Sequence, residues 1–232
     1  MARGWLDIVS TVKRALLARD CVLCAGRSGG AFLCAGCAAD LPRPDGACPQ
    51  CAGPSARGER CGACLASPPA FDATIAVWRY EFPVDRLILA LKYGQRLALA
   101  EGLGEALASR VAALRADALV PMPLARRRLA ERGFNQALEI SRHVARRTGI
   151  ALEPQLAERT RETASQTDLP HDARAANVRG AFACTGDVAG RVLAVVDDVM
   201  TTGASLEELA RTLKRAGATR VENWVIARTW LH

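Results

Sequence analysis

Beyond residue 70 the apolar positions fall into two alternating patterns. Residues 74–80 read as a strand, and 84–91 follow a helical period that ends near Gly94. A further helix is predicted over 97–114, then a short strand over 118–120, stopped by Pro121 and Pro123. Gln136–Thr148 is helical, with Ile140 and Val144 facing inward, and residues 158–179 carry no regular pattern. Strands follow near 181–184 and at 192–196, then a helix over 205–216 and a last strand over 221–227. Alternation of this kind predicts an α/β fold, a parallel sheet with helices on both faces. Ligands of such sheets sit at the carboxyl ends of the strands, where Asp197 and the Pro121 turn would both lie.

The first 70 residues are built differently. Residues 5–17 place Trp5, Ile8, Val9, Val12 and Leu16 on one helical face, which predicts an N-terminal helix (1–20) docked on the rest of the chain, with a membrane-surface helix as the alternative. Residues 21–70 offer few large apolar side chains: Val22, Leu23, Phe32, Leu33, Leu41 and Leu65. Eight of the nine cysteines instead form four Cys-x-x-Cys pairs, Cys21/Cys24, Cys34/Cys37, Cys48/Cys51 and Cys61/Cys64, with gaps of 9, 10 and 9 residues between pairs. Two such pairs complete a four-thiolate zinc site, and a structural zinc contributes roughly 10–16 kcal/mol in comparable peptides. Metal therefore replaces the missing core, as two tandem zinc ribbons over 21–68. Matched short gaps favour consecutive pairing of the cysteines, with interleaved pairing as the alternative. No signal peptide precedes them, so thiols rather than disulfides are expected. Cys184, outside the pattern, reads as a buried strand residue.

The sharpest chemistry lies at residues 192–205. An apolar strand ends in Asp197 and Asp198, then Thr201, Thr202, Gly203, Ala204 and Ser205 lead into a helix with Leu206, Leu209 and Leu213 on one face. Small residues before a helix N-terminus form an anion cradle of backbone N–H groups, with the positive helix end behind them. Two carboxylates beside it suit sugar hydroxyls or the water shell of magnesium. The order resembles the phosphoribosyl pyrophosphate (PRPP) motif of type I phosphoribosyltransferases.

Composition narrows the picture only a little. The chain has 232 residues, and its apolar runs are too short to span a membrane, which points to a cytoplasmic protein. The net charge is +7, and residues 124–180 hold eleven arginines against seven acids. That surplus is compatible with nucleotides or nucleic acid but decides neither. The three histidines, His143, His171 and His232, have no spacing for a triad or metal site and read as surface residues.

Between the two motifs lie Ala90-Leu91-Lys92-Tyr93-Gly94, Pro121-Met122-Pro123-Leu124, Arg128 and Arg132-Gly133-Phe134-Asn135-Gln136. Arg159, Arg161, Thr163 and Gln166 follow, then Arg174, Asn177 and Gly180-Ala181-Phe182. Together these resemble the ComF family of competence-associated proteins, a double zinc ribbon joined to a phosphoribosyltransferase domain, here over 71–232. The resemblance implies two structural zinc ions, and PRPP held with magnesium. Asp197 and Asp198 would act in catalysis, and residues 201–205 would hold the 5-phosphate. Lys92, Arg128, Arg132 and Arg161 are candidates for pyrophosphate or substrate. Plainer readings stand beside these: Lys92 as a snorkelling surface lysine, Asn135 as a helix N-cap, and the Arg159–Gln166 region as a solvated loop.

Three functions compete at this level. One is transfer of phosphoribosyl to an unidentified acceptor, in a setting of DNA uptake. The second is a non-catalytic adapter whose ribbons and basic segment contact single-stranded DNA or competence-machinery proteins. The third is a regulator that senses PRPP or another nucleotide ligand without turning it over. Thr201 stands where some nucleobase transferases carry an acid, so no general base is named.

Overall fold

The structure, a computed structural model, describes residues 20–94, 96–161 and 177–230. The helix expected near the N-terminus, together with Thr163, Gln166, Arg174, His171 and His232, lies outside these residues. The chain divides into two compact units, Met1–Pro42 and Arg43–His232. The division falls between the two groups of cysteines. In the first unit α1 (Ala35–Ala39) starts at Cys34, whose sulfur accepts from the Cys37 amide. It carries no buried residue, as expected of a segment without an apolar core.

The second unit contains α2 (Gly62–Ala66), then β1 (Ala73–Arg79), α3 (Val84–Tyr93), α4 (Ala98–Arg110) and β2 (Ala118–Pro121). After these come α5 (Arg126–Arg132), α6 (Gln136–Thr148), β3 (Ala157–Arg159), β4 (Phe182–Cys184), β5 (Val192–Met200), α7 (Ala204–Arg215) and β6 (Arg220–Arg228). Four strands form one parallel sheet in the order β1-β6-β5-β2. The two central strands are deeply buried: Leu193 to Val196 of β5 and Val221 to Ala227 of β6, including Glu222 and Asn223, are covered throughout. This is the pattern of a sheet covered on both faces. The helix α7 buries Leu206, Leu209 and Leu213, and α6 buries Ile140 and Val144 as the spacing predicts.

Several elements of the structure differ from the sequence reading. The helix read over 97–114 ends at Arg110, with Val111 as its cap. Pro121 closes β2 from within instead of stopping it; Val196 lies opposite, and the strand stands at the edge of the sheet, where a missing N–H is tolerated. Part of the stretch read as irregular forms β3, which pairs antiparallel with β4 as a separate two-stranded ribbon. The strand expected over 192–196 runs on to Met200, because β6 pairs with it along its whole length. Asp197 and Asp198 therefore lie in the strand, held by its ladder.

His143 is not a free surface residue. An added Cβ at Gly104 would meet His143 Cβ at 2.6 Å and the Ile140 carbonyl at 2.9 Å, so α4 and α6 approach closely there. Burial holds the imidazole below its usual range, with Arg146 acting in the same direction. Cys184 is half-buried, and its thiol donates to the Gly186 carbonyl. Among the described residues, no helix is long and apolar enough to cross a membrane.

Candidate functional site

The carboxyl edge of the sheet collects most of the residues that the sequence singles out. The Met122 amide donates to the Val196 carbonyl (2.8 Å), so the Pro121 turn and Asp197 share this edge. Asp198 is buried, and its Oδ2 lies 2.8 Å from Lys92 Nζ, delivered by the last turn of α3. Lys92 is thus not a snorkelling surface lysine; it is the counter-ion of the acid pair. Burial works against its charge, but Asp198 prevails and raises its pKa.

Asp197 is partly buried, and its Oδ1 accepts from the Asp198 amide (2.8 Å). Burial and the adjacent Asp198 carboxylate push its pKa up to about 8, against the pull of Lys92. Two neighbouring carboxylates share one cation, so one of them tends to keep its proton. Tyr80, just past β1, is also raised, first by burial, with Asp85 and Asp198 acting in the same sense and Lys92 against.

The loop after β5 has the form of an anion cradle. Gly203 is the N-cap of α7 with φ 84°, a left-handed conformation strained for any residue with a Cβ. An added Cβ would also meet the Met200 Cε at 2.6 Å. The Thr202 hydroxyl accepts from the Ala204 amide (3.2 Å), and the first amides of the twelve-residue α7 lie at this turn. Asp197, Thr201, Gly203, Ala204 and Ser205 line one small concavity of about 40 Å³.

The arginines are dispersed around this centre. Arg132 stacks over the ring of Tyr93, next to Lys92, at 5.2 Å, and donates to Gln136 Oε1 at 2.6 Å. Arg128 lies on α5, a seven-residue helix without buried residues. Arg161 is exposed and donates to the Asn177 carbonyl (3.1 Å). Asn135 behaves as the capping reading expects. Its Oδ1 accepts from the Ala137 and Leu138 amides, while its Nδ2 donates to the Met122 carbonyl. Arg228 is a residue the sequence reading missed: it is buried at the end of β6 and donates to the carbonyls of Met200 and Thr201, at the start of the loop. Its only signal is a cation directly after an apolar run.

The cysteines pair consecutively. Cys21, Cys24, Cys34 and Cys37 form one group and Cys48, Cys51, Cys61 and Cys64 another, the four sulfurs of each lying within 4.8 Å of one another. Sγ–Sγ separations of 3.8 Å for Cys24–Cys34 and 3.6 Å for Cys51–Cys61 match the edge of a tetrahedron with Zn–S bonds of about 2.3 Å. Backbone amides aim at the sulfurs, from Gly26 to Cys24, from Cys37 to Cys34 and from Cys61 to Cys48. Burial would raise the Cys21 thiol, but backbone hydrogen bonds from Cys34, Cys24 and Leu23 outweigh it and lower it to about 6. The same balance, with Cys51, Cys61 and Gln50 as donors, lowers Cys48 to about 7. Cys37, Cys51 and Cys64 shift the other way, Cys37 chiefly through hydrogen bonds with its neighbouring sulfurs and Cys51 and Cys64 chiefly through burial, so it is the tetrahedral sulfur geometry that suits structural zinc.

The architecture is that of a cysteine zinc-ribbon protein with a parallel α/β domain carrying an acid pair and a glycine-capped loop. A double zinc ribbon domain profile matches residues 12–65. The chain is 35% identical over 169 residues to the DNA utilization protein YhgH of Escherichia coli K12, covering 70% of this chain and 74% of that protein. It is 29% identical over 170 residues to competence protein F of Haemophilus influenzae, covering 69% and 74%. The chain belongs to the ComF family. Among solved structures it is similar to the Bacillus subtilis glutamine PRPP amidotransferase complexed with ADP and GMP, at 24% identity and a TM-score of 0.38. That match covers 53% of this chain and only 25% of the amidotransferase. A purine phosphoribosyltransferase from Pyrococcus horikoshii is similar at 19% identity and a TM-score of 0.34, covering 67% and 78%.

The protein purified without added metal is expected to contain two zinc ions per chain by elemental analysis; a folded protein with none contradicts the cluster geometry. Lys92→Met is expected to cost about 3–5 kcal/mol in urea unfolding, because it strands a buried carboxylate, and adding Asp198→Asn should recover part of the loss. A cost below about 1 kcal/mol would mean that the pair is solvated. The raised Asp197 pKa sets the sign of a pH effect. The native state holds a proton that the unfolded chain releases near pH 4, so the contribution is complete below about pH 4 and is lost as pH rises to about 8. In metal-free buffer, Asp197→Asn should therefore flatten the fall in melting temperature between pH 5 and 8; an unchanged slope contradicts the assignment.

Proposed function

We propose that this protein binds PRPP with magnesium at the β5–α7 loop and transfers the phosphoribosyl group to an acceptor in a DNA uptake or utilization process. The observation that carries the reading is the acid pair on β5, opening directly into the glycine-capped start of α7. Amides of residues 201–205 would hold the 5-phosphate, with the dipole of α7 behind them. Asp197 and Asp198 would hold the ribose hydroxyls or the water shell of magnesium. The residues fit a hydrated cation or sugar hydroxyls, since two carboxylates stand side by side, Asp198 already held by Lys92 at 2.8 Å and Asp197 lining the concavity of the loop. When bound, magnesium would supply charge neutralisation for the pyrophosphate.

The residues of the chain do the positioning. Lys92 pairs with Asp198 and fixes its place, and the amide of Asp198 orients the Asp197 carboxyl. Arg132, braced by Tyr93 and Gln136, and Arg128 and Arg161 are the candidates to receive pyrophosphate or acceptor. Preorganised charge of this kind acts where negative charge develops on the leaving group as the anomeric bond lengthens. The names of the relatives in Escherichia coli and Haemophilus influenzae support the link to DNA use. They also favour a second reading, a non-catalytic adapter whose zinc ribbons and basic segment bind single-stranded DNA.

Calorimetric titration with PRPP and magnesium tests the proposal. Saturable binding is expected, lost or weakened at least tenfold in Asp197→Asn/Asp198→Asn with the fold retained. Equal affinity in the double variant would move the pocket elsewhere, and no binding by the wild type would leave the adapter.

A further inference from the structure

The buried guanidinium of Arg228 sits where two features of the second unit meet. Its Nε donates to the carbonyl of Cys51 (2.9 Å), inside the second cysteine cluster. Its Nη1 donates to the carbonyls of Met200 (3.0 Å), Thr201 and Thr229 (2.5 Å). Met200 is the last residue of β5 and Thr201 the first of the anion cradle. One rigid side chain thus spans from a zinc-ligand residue to the root of the loop. Two further contacts brace the same junction. Trp230 Nε1 donates to the Ala52 carbonyl (3.0 Å), and the guanidinium of Arg79 stacks over the Trp230 ring at 5.2 Å.

We infer that Arg228 is a positioning residue that couples metal loading of the second cysteine cluster to the set of the phosphate loop. The inference deepens the PRPP reading above and rests on it for the identity of the ligand, though the coupling itself can be measured without any ligand. When Cys48, Cys51, Cys61 and Cys64 hold zinc, the backbone at Cys51 is fixed, and its carbonyl holds one edge of the guanidinium. The other edge then fixes the carbonyls of Met200 and Thr201, whose peptide planes lead into the amides of the cradle. Four thiolates around a divalent ion carry a net charge of −2, so the loaded cluster also favours a buried cation beside it. Removal of zinc frees the Cys51 carbonyl, and Arg228 loses the anchor that orients the loop. A planar fork is required; the single point charge of lysine cannot bond the Cys51 carbonyl and the loop carbonyls along two edges.

Hydrogen exchange of the full-length, zinc-loaded protein tests this, read at the amides of residues 201–206 with zinc content measured on the same samples. Arg228→Met is expected to keep two zinc ions while these amides exchange roughly tenfold faster. Arg228→Lys should fall between it and wild type, and provides the test if the methionine variant does not fold. Cys61→Ser should lose one zinc and reproduce the fast-exchanging loop, whereas Cys37→Ser, in the first cluster, should lose one zinc with the loop unchanged. Affinity for PRPP is expected to fall by a similar factor in Arg228→Met and Cys61→Ser only. Loss of the second zinc with wild-type exchange at 201–206 would overturn the coupling. Faster exchange with no PRPP binding even by the wild type would uphold the coupling and sink the PRPP reading instead.

Discussion

Two adjacent carboxylates near the end of a buried parallel strand are hard to keep charged. Repulsion and desolvation act on both, and only a cation or a proton relieves them. Here Lys92 neutralises Asp198 from the neighbouring helix, and Asp197 keeps its proton to higher pH. Much of the surrounding structure follows from this. The last turn of α3 must face β5, so β1 has to lie on the same sheet with Tyr80 beside the pair. A carboxyl pair of this kind, beside a glycine-capped helix start, has the chemistry to meet sugar hydroxyls or a hydrated cation.

The second constraint is the thinness of the cysteine segments. They bury few large apolar side chains, Leu33 and Leu41 among them, and their order depends on sulfur geometry and on the backbone amides aimed at it. In the second unit that order is shared with the sheet through Gln50, which donates to the Phe71 carbonyl, and through the Thr74 amide, which donates to the Pro49 carbonyl. The knuckle is thereby built onto the first strand of the α/β domain. It behaves as part of the wall of that domain.

The strand–loop–helix at 192–205 and the four cysteine pairs were legible in the sequence because local spacing alone defines them. The Lys92–Asp198 pair was only half legible. Lys92 stood out within a motif, but its partner depends on how α3 docks, and no local pattern encodes that. The extension of β5 through its aspartates was missed because these residues are poor strand formers in isolation, and pairing with β6 overrides the preference. The helix α5 gave no signal because it buries no residue and so has no amphipathic period. Arg228 could be read as the end of a strand, but its four carbonyl partners come from segments up to 177 residues away in sequence.

The central claim is that the acid pair and the glycine-capped loop form one ligand site. A crystal structure of the zinc-loaded protein soaked with PRPP and magnesium tests it most directly. The account predicts the 5-phosphate on the amides of residues 201–205 and the ribose hydroxyls or the hydrated magnesium at Asp197 and Asp198, with Lys92 still beside the pair. Phosphate bound elsewhere, with the Lys92–Asp198 pair intact and the loop empty, would contradict it.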